Sequence, residues 1–283
     1  MELRIRRDPT TTRGGERDAR PTRIIIAIVI AITAAAISTP KPSFAASSDD
    51  SPSVVPYRPS VSTPASLSAP GWLEVEGGVQ REHDGAGARR DSLPLTLKLA
   101  FTPDWGVIVA GDAWVRQRDD GATASGIGDV AVVLKRRFAI DDESAFGLEA
   151  ATLVPTSRHG LGEGSGKPDW GAKAIYSADF GAWHCDVNAA ATRLGAPEAG
   201  TGRNEVLGAA ALSRALGSGW ALAGELSTTH RSGLDTARQL LGAASYSVSK
   251  RLVLDAGAAR SSHGSVKAWS AFTGFTWLAG HVF

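Results

Sequence analysis

Histidines, serines and carboxylates are the side chains with which this sequence could do chemistry. The histidines are His83, His159, His184, His230, His263 and His281. None lies in a His-Glu-x-x-His pattern, and no two stand at metal-ligand spacing. His83, His159, His230 and His263 fall near one rim of the fold developed below, where they read as solvated rim residues rather than a metal-capturing cluster. A lipid hydrolase would need a serine and a histidine on adjacent strands with an orienting polar group. Ser227, Thr229 and His230 are close in sequence, as are Ser262 and His263. On an extended strand Ser227 and Thr229 share a face that His230 does not, and neither set carries a signature. The run Gly160-Leu-Gly-Glu-Gly-Ser-Gly166 has the glycine density of a phosphate loop. It lacks the Gly-Lys-Ser/Thr ending and no helix follows, so it reads as a flexible loop. Cys185 is the one cysteine. It admits no internal disulfide and reads as a small apolar residue. No enzyme, cofactor or metal site is expected.

The elements that position these residues change along the chain. Residues 1–45 begin with a basic stretch from Arg4 to Arg23, followed by the apolar run Ile24–Ile37. That run is shorter than the roughly 20 residues of a spanning helix. Ser43-Phe44-Ala45 supplies small residues for cleavage, which completes a secretory signal peptide. Arg6-Arg7 lies too far from the apolar run to argue twin-arginine export, so Sec export is expected. Residues 46–70 are Ser- and Pro-rich without periodicity and read as a disordered linker. Residues 46–283 hold 22 basic and 25 acidic side chains, without the basic face that a nucleic-acid partner needs.

From Gly71 the pattern has a period of two. Leu93, Leu95, Leu97, Leu99 and Phe101 alternate with Pro94, Thr96, Lys98 and Ala100. Such a strand has one apolar face and one polar face. The pattern predicts about twelve strands, at 72–82, 92–101, 105–116, 127–138, 144–155, 169–179, 182–193, 203–214, 219–230, 237–248, 251–261 and 267–283. The connections alternate between short turns and mostly longer loops, at 83–91, 117–126, 156–168, 194–202, 231–236 and 262–266. Tryptophans and Tyr246 cluster near strand ends. These are the marks of an all-β, antiparallel transmembrane barrel occupying 71–283. A soluble β-sandwich also alternates. Apolar faces rich in Ala and Gly, and lone charges in mid-strand, favour the barrel. The final aromatic, Phe283, is the kind of signal that barrel-assembly machinery reads.

Alternation also nominates the side chains of the lumen. Glu74, Glu76, Lys98, Asp112, Arg116, Glu149, Lys173, Asp186, Glu205, Glu225 and Asp255 should point inward, as should Asp129, Lys135 and Arg137. Acids outnumber bases in this set, so a mild cation preference is expected. The plain alternative is that they pair with one another and solvate a wet interior.

Three segments carry a family resemblance. Gly126-Ile-Gly-Asp-Val130 opens the fourth predicted strand, Leu153-Val-Pro-Thr-Ser157 closes the fifth, and Asp169-Trp-Gly-Ala-Lys173 opens the sixth. Together with the glycine-rich loop they resemble the outer-membrane transporter family named for the meta-pathway of phenol degradation, with Ser157 where that family has glycine. The resemblance implies a barrel that passes hydrophobic or aromatic compounds. The expectation is a bacterial outer-membrane channel for passive uptake of small solutes, partnered by outer-membrane lipids and the assembly machinery. The alternatives are a non-transporting surface barrel acting through its outer loops, and an outer-membrane hydrolase.

Overall fold

A computed structural model describes residues 52–85, 87–119, 121–157, 161 and 164–283. The expected signal peptide at 1–45, residues 46–51, and His159 with Gly160, Gly162 and Glu163 of the glycine-rich run lie outside the described residues.

The alternating segments form thirteen strands: β1 (Trp72–Asp84), β2 (Arg89–Ala100), β3 (Trp105–Asp119), β4 (Ala122–Gly126), β5 (Val130–Ala139), β6 (Ser144–Val154), β7 (Asp169–Phe180), β8 (Trp183–Arg193), β9 (Asn204–Gly217), β10 (Trp220–Arg231), β11 (Ala237–Ser249), β12 (Leu252–His263) and β13 (Val266–His281). Neighbours in sequence pair antiparallel, and β1 pairs with β13, so the sheet closes. β4 and β5 share one position in the wall. β4 pairs with Val115–Asp119 of β3, and β5 pairs with Trp105–Gly111. The barrel therefore has twelve staves, and closure of β1 on β13 pairs both edges of every strand but the short β4.

The gap between β4 and β5, at 127–129, is a built feature. Gly128 donates its N–H to the Asp112 carbonyl at 2.9 Å. A Cβ on Gly128 would come within 2.8 Å of the Asp112 Cβ, so only glycine allows the two backbones this close. The predicted fourth strand began at 127, on this break. The predicted loop at 117–126 is instead the hairpin of β3 and β4, in which Asp119 is opposite Ala122.

Short turns at 101–104, 140–143, 181–182, 218–219 and 250–251 mark one end of the barrel. The other end carries 85–88, 120–121, 155–168, 194–203, 232–236 and 264–265. β1 starts and β13 finishes at the short-turn end. Outward side chains include Leu93, Leu95, Leu97, Val109, Val132, Leu134, Leu148, Leu222, Leu226, Leu240 and Leu254, all exposed. Aromatics bound this apolar band. On β13, Trp269 and Trp277 both face out, eight residues apart. At about 3.3 Å per residue and a tilt near 40°, they are separated by roughly 20 Å of height, close to a hydrocarbon core.

Residues 54–69 depart most from expectation. The presumed disordered linker enters at the short-turn end, where Val54 N–H donates to the Lys250 carbonyl at 2.9 Å. It then runs inside the barrel and returns to β1 through Pro70, which bridges to Ala100. Its composition is that of a linker, but its backbone donors find acceptors on the wall, and this long-range pairing orders it.

Candidate functional site in the barrel lumen

The period-two alternation of β1, β2, β5, β6, β8, β10 and β12 aims one face of each strand inward. Residues 54–65 thread between those faces. Val55 N–H donates to the Glu74 carboxylate at 3.0 and 3.2 Å, and Tyr57 N–H to Glu76 at 2.7 Å. Lys98 Nζ lies 2.5 Å from each of Glu74, Glu76 and the Val55 carbonyl, and 3.9 Å from the centre of the Tyr57 ring. Lys135 Nζ donates to the Pro64 carbonyl at 2.5 Å and pairs with Glu149 at 3.2 Å. Lys173 holds the second Glu149 oxygen at 3.2 Å. Burying charges is costly unless each meets an opposite charge or a donor, and this arrangement supplies both.

The far side of the segment is held in the same way. Arg58 pairs with Asp255 at 3.2 Å. Wall glycines make room for it: a Cβ on Gly274 would meet the Arg58 guanidinium at 2.6 Å. Glu225 accepts from Ser60 Oγ and from the Ser62 N–H, the latter at 2.7 Å. Thr63 and Asn188 exchange two hydrogen bonds, at 2.9 and 3.0 Å. Ala65 N–H donates to Ser177 Oγ, which donates to Asp186 at 2.5 Å.

Glu74, Glu76, Lys98, Glu149, Lys173, Asp186, Glu225 and Asp255 thus gather around one segment rather than lining open water. Asp112 stands apart in the loop-end half, paired with Arg90 at 2.8 Å. Glu205 is half-buried near the loop end of β9, opposite Arg231 in register. Arg116 is placed differently from expectation. Between Leu93 and Pro94 the β2–β3 register shifts, so Val115 turns inward and Arg116 is exposed on the outer face opposite Asp91. One extra residue inverts the parity of everything beyond it.

The sequence reading missed Tyr57, Arg58, Ser60, Ser62 and Thr63, because nothing local distinguishes this stretch from a linker. The one signal was the surplus of inward carboxylates, which needed donors from somewhere.

The resemblance motifs meet at one structural node. Asp129 accepts the backbone N–H groups of Ser157 and Gly164, both at 3.0 Å. Thr156 Oγ1 donates to the Gly128 carbonyl at 2.8 Å. Asp169 accepts from Ser165 N–H at 3.0 Å and Gly195 N–H at 2.7 Å. These aspartates anchor the β6–β7 loop, whose Leu161 is buried and whose Leu161 carbonyl accepts from Arg90.

The segment leaves space on both sides. A cavity of about 340 Å³ in the loop-end half is lined by Arg90, Ser92, Asp112, Asp129 and Leu153. It shares Gln80, Thr96 and Ala110 with a second cavity of about 410 Å³, which runs beside Tyr57 to Thr63 and is walled by Leu241 and Phe272. A third, of about 370 Å³, lies across the segment against Ala211, Ala223 and Ala243.

The catalytic alternatives do not assemble. Ser227 and Thr229 share the Glu225 face, while His230 is exposed on the other and contacts Thr236 at 3.0 Å. His83 stacks on Trp269, and His184 bridges Asp179 and Asp186 at 2.7 and 3.1 Å. Among the described residues no three His, Cys, Asp or Glu side chains group to hold a metal.

No family model matches the chain, and no curated protein matches it. Solved structures do share its fold. An outer membrane channel from Pseudomonas putida F1 superimposes with a TM-score of 0.57 at 15% identity, covering 75% of this chain and 97% of that one. The NanC porin does so at 0.51 and 11% identity, covering 72% and 98%. The chain therefore has the barrel fold of outer-membrane channels and porins.

Proposed function

We propose that the protein is a bacterial outer-membrane channel for passive movement of small solutes, along a route narrowed by its own residues 54–65. The observation that carries this is the pair of cavities sharing Gln80, Thr96 and Ala110, which together lead from the loop end down to the segment. One wall of the lower cavity is apolar, at Leu241 and Phe272, and the opposite wall is polar, at Glu149 and Lys173. Such a lining suits small amphiphilic or aromatic solutes better than long hydrated chains. The motif resemblance to the meta-pathway transporter family supports the same solute class. On this reading residues 1–45 direct Sec export, and the exposed Phe283 is the handle for assembly.

Reconstitution into liposomes tests the proposal. Folded protein, verified by heat-modified gel migration, should admit small aromatic and neutral solutes up to a size limit. Thr96→Trp and Gln80→Trp should each reduce that uptake. No uptake of any solute by folded protein would remove the channel reading. It would favour a plugged barrel acting through its outer loops, which the segment lodged in the lumen also suits.

A further inference from the structure

The outer wall carries a basic cluster that the solute route does not use. Arg238 on β11, Arg260 on β12 and Lys267 on β13 line a groove of about 340 Å³ with Leu226 and Leu240. Register places them together. Arg238 is opposite Ser262, and Ser262 is opposite Lys267, in one row across three strands. Arg260 stands one row nearer the barrel's middle, between Leu240 and Trp269. Leu226 and Leu240 are 55% and 59% exposed and Trp269 is 51% exposed, so this face meets lipid. Tryptophan marks the edge of the hydrocarbon band. The three cations therefore sit at and just beyond that edge, at headgroup depth, on the end away from the short turns.

Among the described residues none of the three has an ion-pair partner. No carboxylate lines the groove. Elsewhere on the same rim Arg81 and Arg89 both pair with Asp91, at 2.7 and 2.8 Å, and Arg116 faces that aspartate in register, so the arginines there share one carboxylate. Three cations over two exposed leucines ask for an occupant with a polyanionic head and apolar tails. Arginine forks match phosphate oxygens in pairs, and a lysine adds a point charge. A free anion would gain nothing from Leu226 and Leu240.

We propose that this groove binds a phosphorylated saccharide headgroup of a glycolipid in the outer leaflet, with its acyl chains against Leu226 and Leu240. The inference rests on the outer-membrane placement proposed above, with the loop end outward, and not on solute passage.

Native mass spectrometry of the detergent-solubilised full chain tests it. The probes are a diphosphorylated hexa-acyl disaccharide lipid, its dephosphorylated counterpart and inorganic phosphate. The phosphorylated lipid should be retained at roughly tenfold lower concentration than the dephosphorylated one. Arg238→Ser, Arg260→Ser and Lys267→Ser combined should abolish that preference. Arg214→Ser, which removes an exposed cation at the short-turn end, should leave it intact. If the combined variant fails to show heat-modified migration, Arg260→Ser alone should still lower the preference. Equal retention of both lipids would overturn the proposal. So would an unchanged combined variant, or displacement of the lipid by millimolar phosphate. Solute uptake should be the same in the combined variant and the parent. Loss of uptake in both, with lipid preference kept, would sink the channel reading alone.

Discussion

Lys98 is the residue on which the interior most depends. It is 2% exposed and stands between two carboxylates, Glu74 and Glu76, that are as deeply buried. Lys98→Met would leave two acids facing each other without a cation. Breaking a buried pair from one side costs about 3–5 kcal/mol. The expected result is a lower denaturant midpoint for loss of the heat-modified form. Adding Glu74→Gln and Glu76→Gln to Lys98→Met should recover much of that loss, because neutral amides can share hydrogen bonds with the Val55 and Tyr57 backbone. If the single variant is as stable as the parent, these charges are not desolvated as the geometry indicates. Arg116 makes the complementary point. Its type and spacing suited the lumen, and a single register shift placed it outside.

Among the elements, the strands were legible and their irregularities were not. A twelve-fold recurrence of period two is a strong signal, and the predicted spans agree with every strand but β4 within a few residues. A shift such as that between Leu93 and Pro94 leaves no mark on composition, so Arg116 was misplaced while Glu149, Glu225 and Asp255 were placed inward. Residues 54–69 were illegible for another reason. Much of their order comes from acceptors more than a hundred residues away in sequence, such as Glu225 and Asn188 for Ser62 and Thr63. The short motifs were visible, but their meaning was not. Gly128, Asp129, Thr156, Ser157 and Asp169 fasten the β6–β7 loop. Asp129→Ala should release two N–H groups from a charged acceptor, each such bond being worth about 1.5–3 kcal/mol. Limited proteolysis should then cut within 155–168 faster than in the parent, with the heat-modified form preserved. Unchanged protection would show that Asp169 and Leu161 hold the loop without Asp129.

At the scale of the whole molecule, wall and lumen segment contribute different things. The closed ladder satisfies its own backbone and needs nothing from residues 52–69 to do so. The segment supplies Arg58 and several N–H donors to wall carboxylates, and the Tyr57 ring to Lys98 and Lys135. Deleting residues 52–69 should therefore leave a barrel that still shows heat-modified migration, since water can enter and solvate the exposed acids. Three consequences belong together. The size limit for uptake should rise, because the obstruction across the short-turn half is gone. Conductance in planar bilayers should increase. The opened pore should favour cations, because Glu74, Glu76, Glu149, Asp186, Glu225 and Asp255 would face Lys98, Lys135 and Lys173 without Arg58. A reversal potential shifted toward the cation under a salt gradient would register this. Variants Glu225→Gln and Asp255→Asn in the deleted background should reduce the shift. An opened barrel with anion preference would mean that the carboxylates remain paired by the lysines alone. Conductance no larger than the parent's would mean that the segment does not limit the route.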